Sequence, residues 1–244
     1  MYLGLDFGTS SVKGVLIDGS QKILATASSP LSVSRPKPGW SEQNPEDWWK
    51  AANAVIKQLR QAKAKAMAAV EGIGLSGQQH ESTLLDKAGK VLRPCILWND
   101  ARPFAECLEL VQREPGAISL YGNILLAGYT EPKLLWVKKH EPKIFNKVAM
   151  VLLPKDYIRY RMTGTYGSDM SDSSGTYWLD IATRRWSDSL LAAGHMDRDQ
   201  MPELFEGTDA TGRLTDDVAS AWGMPKKPVV AGGSGRGEVL SDQR

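Results

Sequence analysis

Apolar residues gather in short runs near the start of the chain. Tyr2-Leu3-Gly4-Leu5 reads as a buried strand, Val12 to Ile17 as a second strand interrupted by Lys13, and Lys22 to Ser28 as a third after the Asp18-Gly19-Ser20 turn. This predicts a meander of antiparallel strands. Ser32 to Gly39, with Pro36 and Pro38, is an extended loop, and then the period lengthens. Asn44 is a good N-cap, Pro45 suits the first helical position, and Glu46 and Asp47 favour the positive end of the helix dipole. Trp48, Ala52, Val55, Ile56 and Leu59 follow on one helical face, and the basic, alanine-rich stretch 57–65 is the solvated end of that helix. Glu71 to Leu75 is another strand, leading into the polar knot "SGQQHEST".

Thr83 to Asp86 and Val91-Leu92 flank the turn Lys87-Ala88-Gly89-Lys90, which signals a hairpin. The pattern predicts helices over Arg102–Gln112, Glu131–His140, Asp156–Thr163 and Thr215–Trp222. A last strand, Pro228 to Ala231, reaches Gly232-Gly233. Strand meanders followed by helices and short strands predict a mixed α/β domain with helices packed on its sheet.

Composition narrows the function classes. In 244 residues, 42% apolar and 24% charged, there is room for a sizeable core, as in ordinary globular proteins. A formal net charge of +2, with no run of basic residues, gives no electrostatic case for nucleic acid or an anionic membrane. No apolar stretch is long enough to span a bilayer, and a strand beginning at Met1-Tyr2 leaves no room for a signal peptide, so a cytoplasmic protein is expected. Cys95 and Cys107 are expected as free thiols.

Candidate chemistry centres on "YLGLDFGTSSVKGVLID". Backbone N–H groups in a Gly-containing turn form a concavity for phosphate oxygens. Gly8 and the hydroxyls of Thr9, Ser10 and Ser11 would line it, Lys13 would supply a point charge, and Asp6 would hold a hydrated Mg²⁺. A plain hairpin, with Asp6 capping its own turn and Lys13 on the surface, has a slight edge on residue types alone because the pattern is short.

The segment "GLDFGTSSVKGVLID" resembles the first phosphate-binding hairpin of the actin-like ATPase superfamily, and more narrowly of the FGGY carbohydrate kinases. "GYTEPKLLWVKKH", Gly128 to His140, matches that family's signature. "SRPKPGWSEQNPEDWW", "GLSGQQHESTLLD", "RPCILWNDAR", "LLPKDYIRYRMTG" and "SDMSDSSGTYWLD" resemble the bacterial xylulokinase branch, so the likeness runs from Met1 to about Gly233. It implies a ribonuclease H-like (actin-like ATPase) fold and a kinase that transfers the γ-phosphoryl group of ATP, with Mg²⁺, to the terminal hydroxyl of D-xylulose, giving D-xylulose 5-phosphate. Family members have two domains with sugar and nucleotide in the cleft between them. Residues 1–233 would be the first, sugar-binding domain. A small-molecule sugar is then the partner, and a homodimer is open. Alternatives are another branch of the family (ribulokinase, glycerol kinase or gluconokinase) or a non-catalytic actin-like binding module.

By the same resemblance Asp6 organises metal and phosphates, Gly8 to Ser11 and Lys13 line the phosphate side, and Gln79 and His80 contact the sugar, with Glu81 a further candidate. An acid at position 81 also resembles glycerol kinases. A polyol needs several donors and acceptors at fixed spacing, and a strand-end loop presents them on a rigid base. His80 as a hydrogen-bonded loop histidine is equally compatible with the sequence. In "LWNDAR", Trp98 offers an apolar wall and Asn99 a hydroxyl partner, whereas Asp100 reads as a helix cap. Asp169 and Asp172 could reach the cleft or form Asx-turns. His140, His195 and Trp136 read as structural.

The chain departs from the family at "VVAGGSGRGEVLSDQR". Gly235 stands where the family carries a catalytic aspartate, and Asp242, seven residues on, needs a different loop path to take its place. Phosphoryl transfer to a hydroxyl needs a group that accepts or orients the proton. Residues 234–244 are therefore expected as an atypical tail with no C-terminal nucleotide domain after it, and the chain alone is expected to be inactive.

Overall fold

The computed structural model describes residues 1–235. β1 (Tyr2–Phe7), β2 (Ser11–Ile17) and β3 (Ile23–Pro30) form the antiparallel meander expected. β4 (Gly72–Gly77) runs parallel to β1 on its other side. β5 (Ala210–Arg213) and β6 (Val229–Ala231) pair antiparallel, and β6 lies parallel to β4. The seven-stranded sheet has the order β5-β6-β4-β1-β2-β3, and the short β7 (Ser234–Gly235) joins the end of β4 at Ser76 and Gly77. The sheet thus runs two residues beyond the domain boundary expected after Gly233. Asp242 lies outside the described residues.

The two-residue period of the strands decides what each face does. Leu3, Leu5 and Phe7 of β1 and Val12 and Leu16 of β2 are buried with the apolar face of α1 (Pro45–Ala68), through Trp48, Val55, Ile56 and Leu59. Each such side chain contributes about 1.5–3 kcal/mol of transfer free energy. The Asn44 side chain caps α1 by accepting from the Glu46 N–H at 3.1 Å. The helix continues past its basic stretch to Ala68, kinked at Lys63, where φ is −146°.

Five further helices matter for the site: α2 (Phe104–Arg113), α3 (Thr130–His140), α4 (Pro154–Thr163), the single turn α5 (Met170–Ser173) and α6 (Asp216–Trp222). α6 lies beside α1, with Trp222 stacked on Trp49 at 5.6 Å. Leu134, Trp136, Val137, Trp178 and Trp186 build a second core around α3. This is the mixed α/β layout that the pattern predicts, and it agrees with the ribonuclease H-like fold that the resemblance implies.

One expectation is extended and one is revised. Thr83–Leu85 forms the expected short hairpin, with Leu85 bridging Val91 and the Leu92 N–H donating to the Leu84 carbonyl at 2.9 Å, but it also pairs antiparallel with Met150–Leu152. The turn at Asp86 to Lys90 does form, but residues 83–85 are all buried, and the neighbour that covers them is the interior strand. Asp100 does not cap α2, which begins at Phe104. Its carboxylate instead accepts from the Ser41 N–H at 2.6 Å and pairs with Arg102 at 2.7 Å.

Candidate active site

The alternation that buries Leu5 and Phe7 puts Asp6 on the opposite face of the sheet, away from α1. There its carboxylate accepts from the Ser76 hydroxyl at 3.0 Å and lies across the ladder from exposed Lys13. Asp6, Lys13, Gly74, Ser76, Gly233 and Ser234 line a groove of about 1050 Å³. Asp6 therefore faces open space.

The turn after β1 is closed by the Gly8 N–H donating to the Ser11 carbonyl at 3.1 Å. Ser10 is exposed, and Thr9 and Ser11 are half-buried. Thr9 is tied in on three sides. Its carbonyl accepts from Gln43 Nε2 at 2.7 Å, its hydroxyl donates to Gln78 Oε1 at 2.8 Å, and the same hydroxyl accepts from Trp98 Nε1 at 3.2 Å. Gln43 and Gln78 are themselves buried and bonded to one another at 3.0 Å. Sequence reasoning missed both glutamines. No sequence signal marked Gln78, because Gly77 and Gln78 are buried in succession and the strand alternation ends there.

Beyond β4, Gln79 and His80 are half-buried. His80 Nδ1 lies 2.9 Å from the Gly175 carbonyl, which can only accept, so Nδ1 carries the proton. Burial, with a smaller push from Lys133, lowers the imidazole to about 4, so the ring is neutral at pH 7 and Nε2 is an acceptor. The Gln79 amide packs so closely on Gly235 that any side chain at 235 would have to displace it. Trp98 is half-exposed and Asn99 is exposed.

Glu81 is placed differently from its expected role. It has no solvent exposure, and Oε1 accepts from the Trp98 N–H at 3.3 Å. Burial raises its carboxyl to about 8. It supports the Trp98 backbone from behind and does not face the groove. Asp169 and Asp172 are also wholly buried, and neither reaches the cleft. Lys155 Nζ lies 2.6, 2.5 and 3.1 Å from Asp156, Asp169 and Asp172, and Arg159 joins at Asp156. Burial pushes Asp172 up, and the three carboxylates push Lys155 up despite its burial. Asp169 also accepts from the Asp172 N–H at 2.9 Å, the Asx-type cap that sequence allowed. Trp136 is core, and His140 Nδ1 bonds the Trp136 carbonyl at 3.0 Å. His195 bonds Arg113 at the surface.

Oxygen donors around an open groove suit a hard cation. Among the described residues no group of three or more His, Cys, Asp or Glu could hold a metal ion. A cation at Asp6 would therefore rest on one carboxylate, waters and phosphate oxygens, as Mg²⁺ does. A second groove of about 1140 Å³, between Asp86–Ala88 and the 188–200 segment, contains none of these residues.

The profile of the FGGY family of carbohydrate kinases, N-terminal domain, matches residues 1–237. The chain belongs to this family. It is 51% identical over 233 residues to the xylulose kinase of Escherichia coli (strain K12), covering 96% of this chain and 48% of that relative. A solved structure described as a xyloylose kinase from Brucella ovis superposes with a TM-score of 0.94 at 52% identity, covering 96% of this chain and 48% of that one. The xylulose kinase from Rhodospirillum rubrum gives 0.91 at 31% identity with the same coverage. This FGGY chain thus spans about half the length of the curated relatives it matches. No helix among the described residues is long and apolar enough to cross a membrane.

Proposed function

We propose that this chain is the sugar-binding domain of a kinase of the xylulokinase type, which phosphorylates D-xylulose at its terminal hydroxyl with ATP and Mg²⁺. The observation that carries the reading is the Thr9 hydroxyl. It joins the phosphate turn to the indole of Trp98, so the candidate phosphate side and the candidate sugar side are one bonded unit at the ends of β1 and β4. The names borne by relatives at 51% and 52% identity support the choice of sugar.

In this reading Nε2 of neutral His80 accepts a hydrogen bond from a sugar hydroxyl, Gln79 adds an amide, and Trp98 walls the C–H face. Asn99 lies at the rim. Gly8 to Ser11 and Lys13 take the phosphates, and Asp6 holds the cation through water. The cation would neutralise charge on the transferring phosphoryl group. The sugar oxygen forms the new bond to phosphorus, ADP leaves, and the hydroxyl proton needs an acceptor. An imidazole at about 4 is a poor base at pH 7 and orients the hydroxyl instead. Position 235, where the family has its aspartate, is glycine. The 244-residue polypeptide therefore binds the sugar without turning it over. Glu81, the residue that favoured a glycerol kinase, is buried, so it carries no weight for that substrate.

Tryptophan fluorescence during D-xylulose titration tests the reading. Saturable quenching is expected, weakened at least tenfold in His80→Ala, with no ATP-dependent phosphorylation in a coupled assay. Absence of any response to pentuloses, or robust turnover by this polypeptide, contradicts it.

A further inference from the structure

The Lys133 ammonium is completely buried, and its contacts are backbone carbonyls. Burial lowers the ammonium to about 8, and the buried Glu81 attracts it without an ion-pair contact. Burying such a charge is costly, and a methionine would fill similar volume without that cost. What the lysine adds is direction. Nζ donates to the His80 carbonyl at 2.7 Å and to the Gly128 carbonyl at 2.7 Å. The Gly128 backbone in turn presses on Trp98, so closely that a Cβ there would lie 2.5 Å from the Trp98 carbonyl oxygen. One ammonium therefore ties the His80 loop to the Trp98 segment.

The rest of the first turn of α3 converges on the same histidine. Thr130 Oγ1 donates to the His80 carbonyl at 3.0 Å, and the Tyr129 ring lies 4.5 Å from the imidazole. His80 has φ +69°, a left-handed conformation that costs a non-glycine residue on the order of 1 kcal/mol. With both α3 donors on its carbonyl, the peptide plane is fixed in that conformation, and the ring meets Gly175. A Cβ on Gly175 would lie 2.5 Å from Nδ1, so the glycine allows the close approach.

We propose that Lys133, assisted by Thr130, is a positioning residue for sugar binding: it locks the His80 peptide so that Nδ1–H is spent on Gly175 and Nε2 is offered to the sugar beside Trp98. This rests on His80 being a sugar ligand.

The chain has three histidines, so side-chain ¹⁵N signals of the labelled protein resolve His80 from His140 and His195. Wild type is expected to show a single Nδ1–H form at His80. Lys133→Met and Thr130→Val are expected to shift His80 toward mixed tautomers and weaken D-xylulose binding at least tenfold, with His140 and His195 unchanged. Thr130→Ser restores both readouts, and this pair decides the question even if Lys133→Met does not fold. Folded variants with His80 signals and affinity like wild type overturn the proposal. If wild type binds no D-xylulose while the His80 signals still move, the sugar reading fails and the positioning role stands.

Discussion

Two titratable neighbours, His80 and Glu81, are shifted in opposite senses by the same burial. His80 falls from 6.5 to about 4, so between those values the unfolded chain binds a proton that the native chain refuses, and stability falls as pH drops through the window. Glu81 rises from 4.5 to about 8, so the native chain keeps a proton that the unfolded chain releases, and stability falls as pH rises through that window. Between pH 6.5 and 8 only the glutamate of this pair acts, at up to about 1.4 kcal/mol per pH unit. Denaturant melts across this range should show stability declining with pH, and Glu81→Gln should reduce the slope, leaving the share of Asp172, which burial likewise raises to about 8. An unchanged slope would mean that Glu81 is ionised in the native chain. The residue scale is where sequence was least legible. "QQHE" marked the right loop, but not that Gln78 and Glu81 turn inward, because strand and loop parity beyond Gly77 depends on which tertiary neighbour each side chain meets.

Elements were more legible. The meander follows from its period, and α1 and α6 from period and their caps, Asn44 and Thr215, whereas α3 is buried on every side from Thr130 to Val137 and was legible through its apolar length and its family motif. The short 83–92 hairpin forms as its turn chemistry predicts, whereas its second partner, Met150–Leu152, is distant in sequence and left no local signal. One glycine sets the distance between layers. A Cβ at Gly14 would overlap the Val55 side chain and approach Leu59 Cδ1 to 3.2 Å. Gly14→Ala should therefore push α1 off the sheet and destabilise by about 1–3 kcal/mol. A denaturant midpoint equal to wild type would show that the helix yields at no cost.

At the scale of the molecule, the buried Lys155 cluster braces the sheet against the site. The backbone of β4 lies against Lys155, whose Cβ would be 3.3 Å from a Cβ on Gly77. α5 follows Asp169, and Ser171 reaches Ser234 of β7 at 3.1 Å. Lys155→Met leaves Asp169 and Asp172 without a cation, with Asp156 held by Arg159 alone, and should cost about 3–5 kcal/mol. Thermal melting within a degree of wild type would contradict the bracing role. The motif "LLPKDY" announced the family, but no spacing rule pairs its lysine with acids near 170.

A crystal structure of this polypeptide with D-xylulose tests the central claim most directly. The sugar is expected with one hydroxyl within hydrogen-bonding distance of His80 Nε2, its C–H face on Trp98 and its terminal hydroxyl directed toward the Asp6 groove. Sugar bound in the groove beside Asp86 and Arg198, or His80 turned away from Gly175 with the ligand elsewhere, would contradict the account.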